Sequence, residues 1–250
     1  MAAAPVMPTP DSTALSEGAR LLNVFLAPTK TFTDLRRSAS WWAPFLLLSV
    51  MSLTFVYTVD QKIGFPRVAE NQIQASPKTA QRIEQLPPDQ RNQTMQRQAV
   101  FFRNFSYAYP AVILVWNVVI AAILFATFKF AASSDVKFKT SLAIVMYASL
   151  PFVVKSLLAT ISVAAGASAD SFTFQNPVAT NPGYFLTPAD SPFLYSLATA
   201  IDIFMIWTLI VTAIAFTCVS KVKRSTALAI VFGWYFVFVL GGAGFGALFS

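Results

Sequence analysis

The chain has 250 residues, of which 56% are hydrophobic and only 12% are charged. Soluble domains carry about 25% charged residues, so this composition excludes an ordinary soluble protein and predicts an integral membrane protein. The net charge is +7. Since the basic residues lie largely beside apolar segments, we ascribe this charge to membrane orientation and lipid headgroups, and we expect no nucleic-acid partner.

The residue types that are missing exclude several kinds of active site. The sequence has no histidine and a single cysteine, Cys218, which rules out His-based triads, His zinc sites and an intrachain disulfide. An intramembrane aspartyl protease needs two carboxylates within the membrane, and the apolar segments hold only Asp202. We therefore expect no enzyme, no catalytic residue, no cofactor and no metal site.

The N-terminal forty residues divide into a tail and an amphipathic segment. Residues 1–17 are rich in proline and are predicted to be a disordered tail. Residues 18–40 mix apolar and basic side chains around Pro28, which predicts two short helices on the cytoplasmic side. These helices either lie on the membrane surface or pack against the inner end of the bundle. The candidate interface residues are Phe25, Leu26, Arg36 and Arg37.

The rest of the chain predicts an all-α, polytopic membrane domain over residues 41–249. A helix needs about 20 mainly apolar residues to cross a hydrocarbon core of about 30 Å. Backbone groups in lipid must be satisfied internally, so such segments are expected to be helices. Five segments qualify, and they are residues 41–59, 107–128, 142–165, 197–219 and 227–249.

The short links between these segments predict the orientation. Links 129–140 and 220–225 are basic, whereas link 166–196 has no Lys or Arg. The positive-inside rule then places the N-terminus in the cytoplasm and Ser250 outside. The loop 60–106 carries seven basic residues on the predicted exterior side, but it also holds four acids, and longer loops bias orientation less.

Both predicted exterior loops show local patterns. In loop 60–106, Ser76 followed by Pro77 predicts a helix start, and the two prolines after Leu86 predict its end, so we expect a helical exterior loop. It is either a solvated connector or a small binding hairpin. The proline-rich and aromatic link 166–196 is expected to cap the outer end of the bundle.

Three polar residues within the spans form a candidate intramembrane layer. Lys155 and Asp202 are the only charged residues there, and both lie about 15 Å from the predicted exterior side at 1.5 Å per residue. Asn117 falls at a similar depth. Because an isolated charge at mid-bilayer costs roughly 2.5–3.5 kcal/mol, we expect Lys155 and Asp202 to pair. The pair is either a structural salt bridge or part of an ion or substrate site.

The last span contains a motif of small residues. Gly242 and Gly246 form a GxxxG pattern, which allows two helices to approach closely. This candidate packing motif serves either packing within the bundle or a dimer seam.

Three short motifs resemble the Ypt-interacting-protein (YIP) domain family. They are LAPTKTF at 26–32, WWAP at 41–44 and AIVMYASLP at 143–151. The resemblance runs over about residues 21–248 and implies a five-span membrane fold. The large Gln-rich loop is similar to that of prokaryotic members, which implies the bacterial inner membrane. Eukaryotic members are linked to vesicle traffic and Rab-type GTPases, a role that the resemblance does not extend to a bacterial cell.

These observations favour a non-enzymatic membrane organiser or scaffold. Its expected partners are the lipid bilayer and other membrane proteins or a second copy of the chain. The alternative is a small transporter or channel that uses the polar site of Lys155, Asp202 and Asn117.

Overall fold

A computed structural model describes residues 14–187 and 190–249, and the side chains of residues 245–249 lie outside the description. The predicted disordered tail falls mostly outside these residues. Its last residue, Glu17, already belongs to a helix, because Ser16 caps that helix by accepting a hydrogen bond from the Ala19 amide at 3.2 Å.

All regular secondary structure in the described part of the chain is helical, which confirms the predicted all-α membrane fold. Short 3₁₀ turns lie in link 166–196, which we call the last long loop. A π-helical turn, Thr127–Ala131, follows the second long apolar helix. The α-helices are α1 (Glu17–Leu26), α2 (Pro28–Asp34), α3 (Trp42–Lys62), α4 (Phe65–Gln74), α5 (Pro77–Glu84), α6 (Pro88–Tyr107), α7 (Tyr109–Ala126), α8 (Phe138–Ala148), α9 (Pro151–Ala164), α10 (Pro192–Ala200), α11 (Ile203–Val219) and α12 (Arg224–Phe249).

In residues 14–187 and 190–249, four helical stretches are long and apolar enough to cross a membrane. They are Trp42–Lys62, Tyr109–Ala131, Phe138–Ala164 and Arg224–Gly244. A fifth span exists if α10 and α11 are counted together, since the two helices meet at an angle of 50°.

The fourth span is therefore not the continuous helix over 197–219 that the hydropathy pattern predicts. The helix ends at Ala200 and restarts at Ile203. Asp202 causes the restart, because its side chain accepts hydrogen bonds from the amides that open α11, which makes it the N-cap of that helix. Hydropathy averages over such a break, so the sequence pattern did not show it.

The core of the bundle surrounds α8. Every residue from Ser141 to Ala148 is buried, because α7, α11 and α1 pack around this helix. The rings of Phe128 and Phe216 stack within this core with centroids 3.9 Å apart. The third span is thus the central helix of the bundle.

The N-terminal helices pack against the bundle rather than extending away from it. Helix α2 lies on α11, and α1 contacts α8 and α3. Val24, Phe32 and Leu35 are almost fully buried and join the bundle core. We call α1 and α2 together the N-terminal hairpin.

A second, smaller core forms at the other end of α3. It joins α3, α4, α6 and α9 through Val59, Phe65, Ala99 and Val163 and includes Phe172 of the last long loop. Helix α5 begins at Pro77, as the Ser-Pro pattern predicts. The two loops that the sequence assigns to the exterior also meet here, because Asn71 donates hydrogen bonds to the carbonyl oxygens of Ala169 and Phe172.

Candidate functional site

The break in the fourth span places a buried carboxylate at the start of α11. Oδ1 of Asp202 accepts hydrogen bonds from the amides of Phe204 at 2.9 Å and Met205 at 3.2 Å. These two amides have no partner within the helix, so the side chain replaces the missing bonds. Asp202 is only 4% exposed.

The second oxygen of this carboxylate meets Lys155 of α9. Nζ of Lys155 lies 2.8 Å from Oδ2 of Asp202. The side chain of Lys155 is 18% exposed and that of Asp202 is 6% exposed. The ion pair therefore joins α9 to the start of α11, and each charge compensates the other in a place of low polarity.

The last long loop completes the site. Thr180 donates its hydroxyl hydrogen to Oδ2 of Asp202, and Nδ2 of Asn181 lies 3.4 Å from the same oxygen. The Thr180 carbonyl in turn accepts a hydrogen bond from the Ile203 amide at 3.1 Å. Asn181 also donates to Oδ1 of Asn176 at 2.7 Å. Asp202 with these loop residues and Lys155 forms what we call the Asp202 network.

A glycine holds this loop close to α10. A Cβ atom on Gly183 would lie 2.8 Å from the backbone nitrogen of Thr199, so only glycine allows this approach. The side chain of Asn181 also accepts a hydrogen bond from the Tyr184 amide at 3.2 Å. The loop is thus fixed on the bundle by its backbone as well as by its side chains.

Asn117 lies apart from this network. Its Oδ1 accepts a hydrogen bond from the Ser149 hydroxyl at 3.1 Å, and its Nδ2 donates to the Ile113 carbonyl at 2.8 Å. In the described ranges no hydrogen bond joins Asn117 to Lys155 or Asp202. It links α7 to the end of α8 instead.

Sequence reasoning missed the loop residues of the Asp202 network. Thr180, Asn181 and Asn176 look like ordinary loop residues in a stretch dominated by proline and aromatic side chains. Their position in the chain could have indicated them, because they lie in the link between the predicted spans that carry Lys155 and Asp202.

A second polar cluster fixes the N-terminal hairpin. Arg20 is 1% exposed. Its guanidinium contacts Oδ2 of Asp34 at 2.6 Å and Oε1 of Glu17 at 3.1 Å. The other oxygen of Glu17 accepts a hydrogen bond from the Tyr147 hydroxyl at 2.5 Å. The cluster thus connects α1, α2 and the central helix α8.

The charges of this cluster shift each other. Burial alone would lower the pKa of Arg20, but its hydrogen bond and charge interaction with Asp34 outweigh burial and raise that pKa. Burial alone would raise the pKa of Asp34, but hydrogen bonds from Arg37 and Arg20 outweigh it and lower that pKa. Both groups are therefore held in their charged forms.

The candidate interface residues occupy different environments. Phe25 is half-buried, with its ring centroid 5.7 Å from that of Trp207 on α11. Leu26 is 80% exposed. Arg36 and Arg37 are exposed after α2, and Arg37 pairs with Asp34 at 3.1 Å.

The candidate packing glycines lie in α12. A Cβ atom on Gly242 would meet nothing within 4 Å, so its face is open in the single chain. The surroundings of Gly246 lie outside the described side chains. The structure thus shows no helix of this chain, within the described residues, against Gly242.

The contacts of Asp202 fix two helices and a loop against one another. The Asp202 network contains one carboxylate, one ammonium group and neutral donors, and each carboxylate oxygen already accepts hydrogen bonds from this chain. In the described residues no group of three His, Cys, Asp or Glu side chains could hold a metal ion.

Comparison with known proteins identifies the family. The Yip1 domain model matches residues 22–246, which is most of the chain. The comparisons with curated proteins and with solved structures gave no match. Yip1 proteins are generally non-enzymatic proteins of membrane trafficking. With its all-helical, membrane-spanning fold and this match, the chain belongs to the Yip1 domain family of integral membrane proteins.

Proposed function

We propose that this protein is a non-enzymatic membrane organiser or scaffold of the bacterial inner membrane, with its N-terminus in the cytoplasm and its C-terminus outside. The observation that carries the proposal is the saturated Asp202 network. A carboxylate that is 4% exposed and accepts hydrogen bonds from two amides, an ammonium group and two loop side chains has little capacity left for a transported ion. Such a network fixes helices and a loop in one arrangement.

A fixed arrangement suits a protein that presents surfaces to partners. The loop around Thr180 and Asn181 is held on one end of the bundle, and the N-terminal hairpin is held through Arg20. Recognition surfaces that are already ordered lose less conformational entropy on binding. We infer that these ends bind the lipid bilayer, other membrane proteins or a second copy of the chain.

The proposed orientation follows from the charges on the links. The link between α7 and α8 and link 220–225 are both basic. With α10 and α11 taken as one span, two and four spans respectively separate them from the N-terminus, so we assign both links to its side. In the opposite loops, Arg67 pairs with Glu70 and Asp170, and Arg103 pairs with Asp60. Acids therefore offset part of the positive charge at the end that we assign to the exterior.

The alternative function, a small transporter or channel, has one observation in its favour. The fourth span is broken at its charged residue, and transporters commonly build substrate sites at broken helices. In addition, Nδ2 of buried Asn176 has no hydrogen-bond partner in the described part of the chain. Against it, Asn117 contacts Ser149 and not the pair.

One double variant distinguishes the two functions. Lys155→Met with Asp202→Asn removes both charges, while asparagine keeps the capping role because it is an equally good N-cap. Crosslinking with mass spectrometry in native membranes and ion flux in proteoliposomes are measured for both forms. We expect wild type and variant to share a reproducible set of crosslinked membrane proteins and to show no flux above empty liposomes. Flux in the wild type that the folded variant lacks would establish transport instead.

A further inference from the structure

Helix α1 buries the charged Arg20 beside the apolar Val24 and leaves an apolar stripe exposed. Its polar residues Glu17 and Arg20 point inward, and Arg20 is 1% exposed. Its most exposed positions recur every four residues at Gly18, Leu22 and Leu26, where the two leucines are 65% and 80% exposed. A helix on a water-facing surface exposes charged side chains on its outer stripe, whereas the outer stripe of α1 carries none and therefore suits an apolar environment.

The contacts of α1 place it beside the apolar part of the spans. Tyr147, which bonds to Glu17, lies nine residues after the first residue of α8, Phe138. Trp207, which contacts Phe25, lies twelve residues before the end of α11 at Val219. At 1.5 Å per residue these contacts are roughly 14 and 18 Å from the respective helix ends. Helix α1 therefore lies well inside the ends of the spans.

The stripe also continues a surface that faces lipid. Trp207 is 36% exposed and Ile210, one turn further along α11, is 37% exposed. Exposed apolar residues on a membrane-spanning helix face hydrocarbon or another protein. Because Phe25 packs on Trp207, the outer stripe of α1 adjoins this surface of α11.

Helix α2 and the turn after it are different, because their exposed residues are polar. Thr29, Lys30, Thr33, Arg36 and Arg37 are all exposed. The basic groups sit on the same side of the membrane as the basic link that follows α11. Clusters of Lys and Arg beside a span attract the phosphates of anionic lipids.

We propose that the N-terminal hairpin is built into one leaflet, with the α1 stripe in the hydrocarbon and the cations around α2 on the phosphates of anionic phospholipids. The hairpin therefore contacts the anionic phospholipids of the leaflet on the N-terminal side. This deepens the proposed organiser function, on which it rests, by naming the lipid class that the hairpin contacts. An apolar stripe and a basic patch together supply the two signals that stable membrane contact requires.

Depth-dependent quenching tests the position of α1 in the full chain. In a Cys218→Ser background, Leu22→Cys and Lys30→Cys each receive a small fluorophore, and the purified proteins are reconstituted in phosphatidylcholine vesicles containing phosphatidylglycerol. We expect the label at residue 22 to be quenched severalfold more by lipids with a nitroxide on the acyl chain than by aqueous iodide. The label at residue 30 should show the reverse preference. Unchanged thermal unfolding of each labelled protein serves as the folding control.

Every other pattern contradicts the proposed position. Equal iodide quenching at both residues would place α1 in water. A label at residue 22 that neither quencher reaches would mean that protein covers the stripe, either a second copy or residues 1–13.

A matched pair of variants tests the choice of lipid. Lys30→Gln with Arg36→Gln removes two cations near α2, and Lys78→Gln with Arg82→Gln removes two from α5. Spin-labelled phosphatidylglycerol and phosphatidylcholine report how strongly each lipid associates. We expect the first variant to lose most of the preference for phosphatidylglycerol and the second to keep it. Equal preference in both variants would overturn the headgroup assignment. These measurements use purified protein and lipid, so they are independent of whether crosslinking finds a protein partner.

Discussion

At the scale of single residues, Asp202 combines two tasks that usually fall to different side chains. One oxygen caps α11 and the other neutralises Lys155. Removing the charge therefore affects a helix start and an ion pair together, whereas Asp202→Asn separates the two effects because asparagine still caps. Among the residues that the structure describes, Lys155 pairs with Asp202 and caps no helix.

We predict that removing either partner of the ion pair alone lowers the stability more than removing both together. Lys155→Met leaves a buried carboxylate without its cation, and breaking a buried pair costs on the order of 3–5 kcal/mol in soluble cores. Asp202→Asn should cost less, because Lys155 is 18% exposed and its long stem lets the ammonium group reach toward water. The double variant should recover most of the loss. Thermal unfolding in detergent of the four forms measures this coupling. Two harmless single changes that simply add would mean that the residues do not support each other.

A pH dependence is expected from Asp34. Its pKa is lowered by Arg37 and Arg20 against the effect of burial, so it lies below the value of about 3.9 in an unfolded chain. The stabilisation is complete above that value and is lost as the pH falls through the folded-state pKa. Asp34→Asn should lower the melting temperature at pH 7, because Arg20 loses its charged partner. Below pH 4, the melting temperature of this variant should depend less on pH than that of the wild type.

The control for this prediction is Arg37→Gln. The Arg37 side chain is 52% exposed, and exposed ion pairs contribute about 0–1 kcal/mol. Arg37→Gln should therefore change the melting temperature little. A loss as large as that of Asp34→Asn would show that Arg20 is not the main partner of this carboxylate.

At the scale of helices, the sequence predicts what depends on averages and misses what depends on single contacts. Hydropathy finds the apolar stretches, and the prolines find the start of α5 and the split between α1 and α2. Hydropathy misses the break before α11, because the surrounding stretch is apolar on average and the cause is the single side-chain cap of Asp202. The contact between Thr180 and Asp202 cannot be predicted from hydropathy either, since no periodic pattern in the sequence encodes how a loop folds back. Counting residues predicts similar depths and a pairing for Lys155 and Asp202, and their side chains do meet, but Asn117 at a similar count contacts Ser149 instead.

Gly183 offers a test of how tightly the last long loop must approach α10. Gly183→Ala would place a methyl group 2.8 Å from the Thr199 nitrogen and 3.0 Å from its Cα. Overpacking of this kind costs about 1–3 kcal/mol, and it should also loosen the bonds from Thr180 and Asn181 to Asp202. Thermal unfolding should detect the loss. Gly233→Ala in α12 is the control, because nothing lies within 4 Å of its Cβ position and alanine favours the helix by about 1 kcal/mol. Equal stability of the two variants would contradict the close approach.

At the scale of the whole molecule, ion pairs and hydrogen bonds connect segments that are distant in sequence, both at one end of the bundle and beside its central helix. Arg67 reaches Asp170 at one end. Arg20 reaches Asp34 beside the central helix, and Glu17 reaches Tyr147. The two long loops therefore lie together at one end, as alternating spans require, and the net orientation depends on the balance of charge between that end and the opposite one.

Accessibility of single cysteines tests the orientation directly. In a Cys218→Ser background, Lys223→Cys lies in the short link before α12 and Asp190→Cys lies in the link before α10. The first link is basic and the second has no Lys or Arg, so the positive-inside rule places Lys223 in the cytoplasm and Asp190 outside. A membrane-impermeant maleimide added to intact cells with a permeable outer layer should label the cysteine at 190 and leave the one at 223 unlabelled until the membrane is opened. The two links lie on opposite sides only if α10 and α11 together cross the membrane once. Labelling of both cysteines from outside would therefore show that this bent pair does not span the membrane. The reverse pattern, with only residue 223 labelled, would place the N-terminal hairpin in the outer leaflet and invert the proposed orientation.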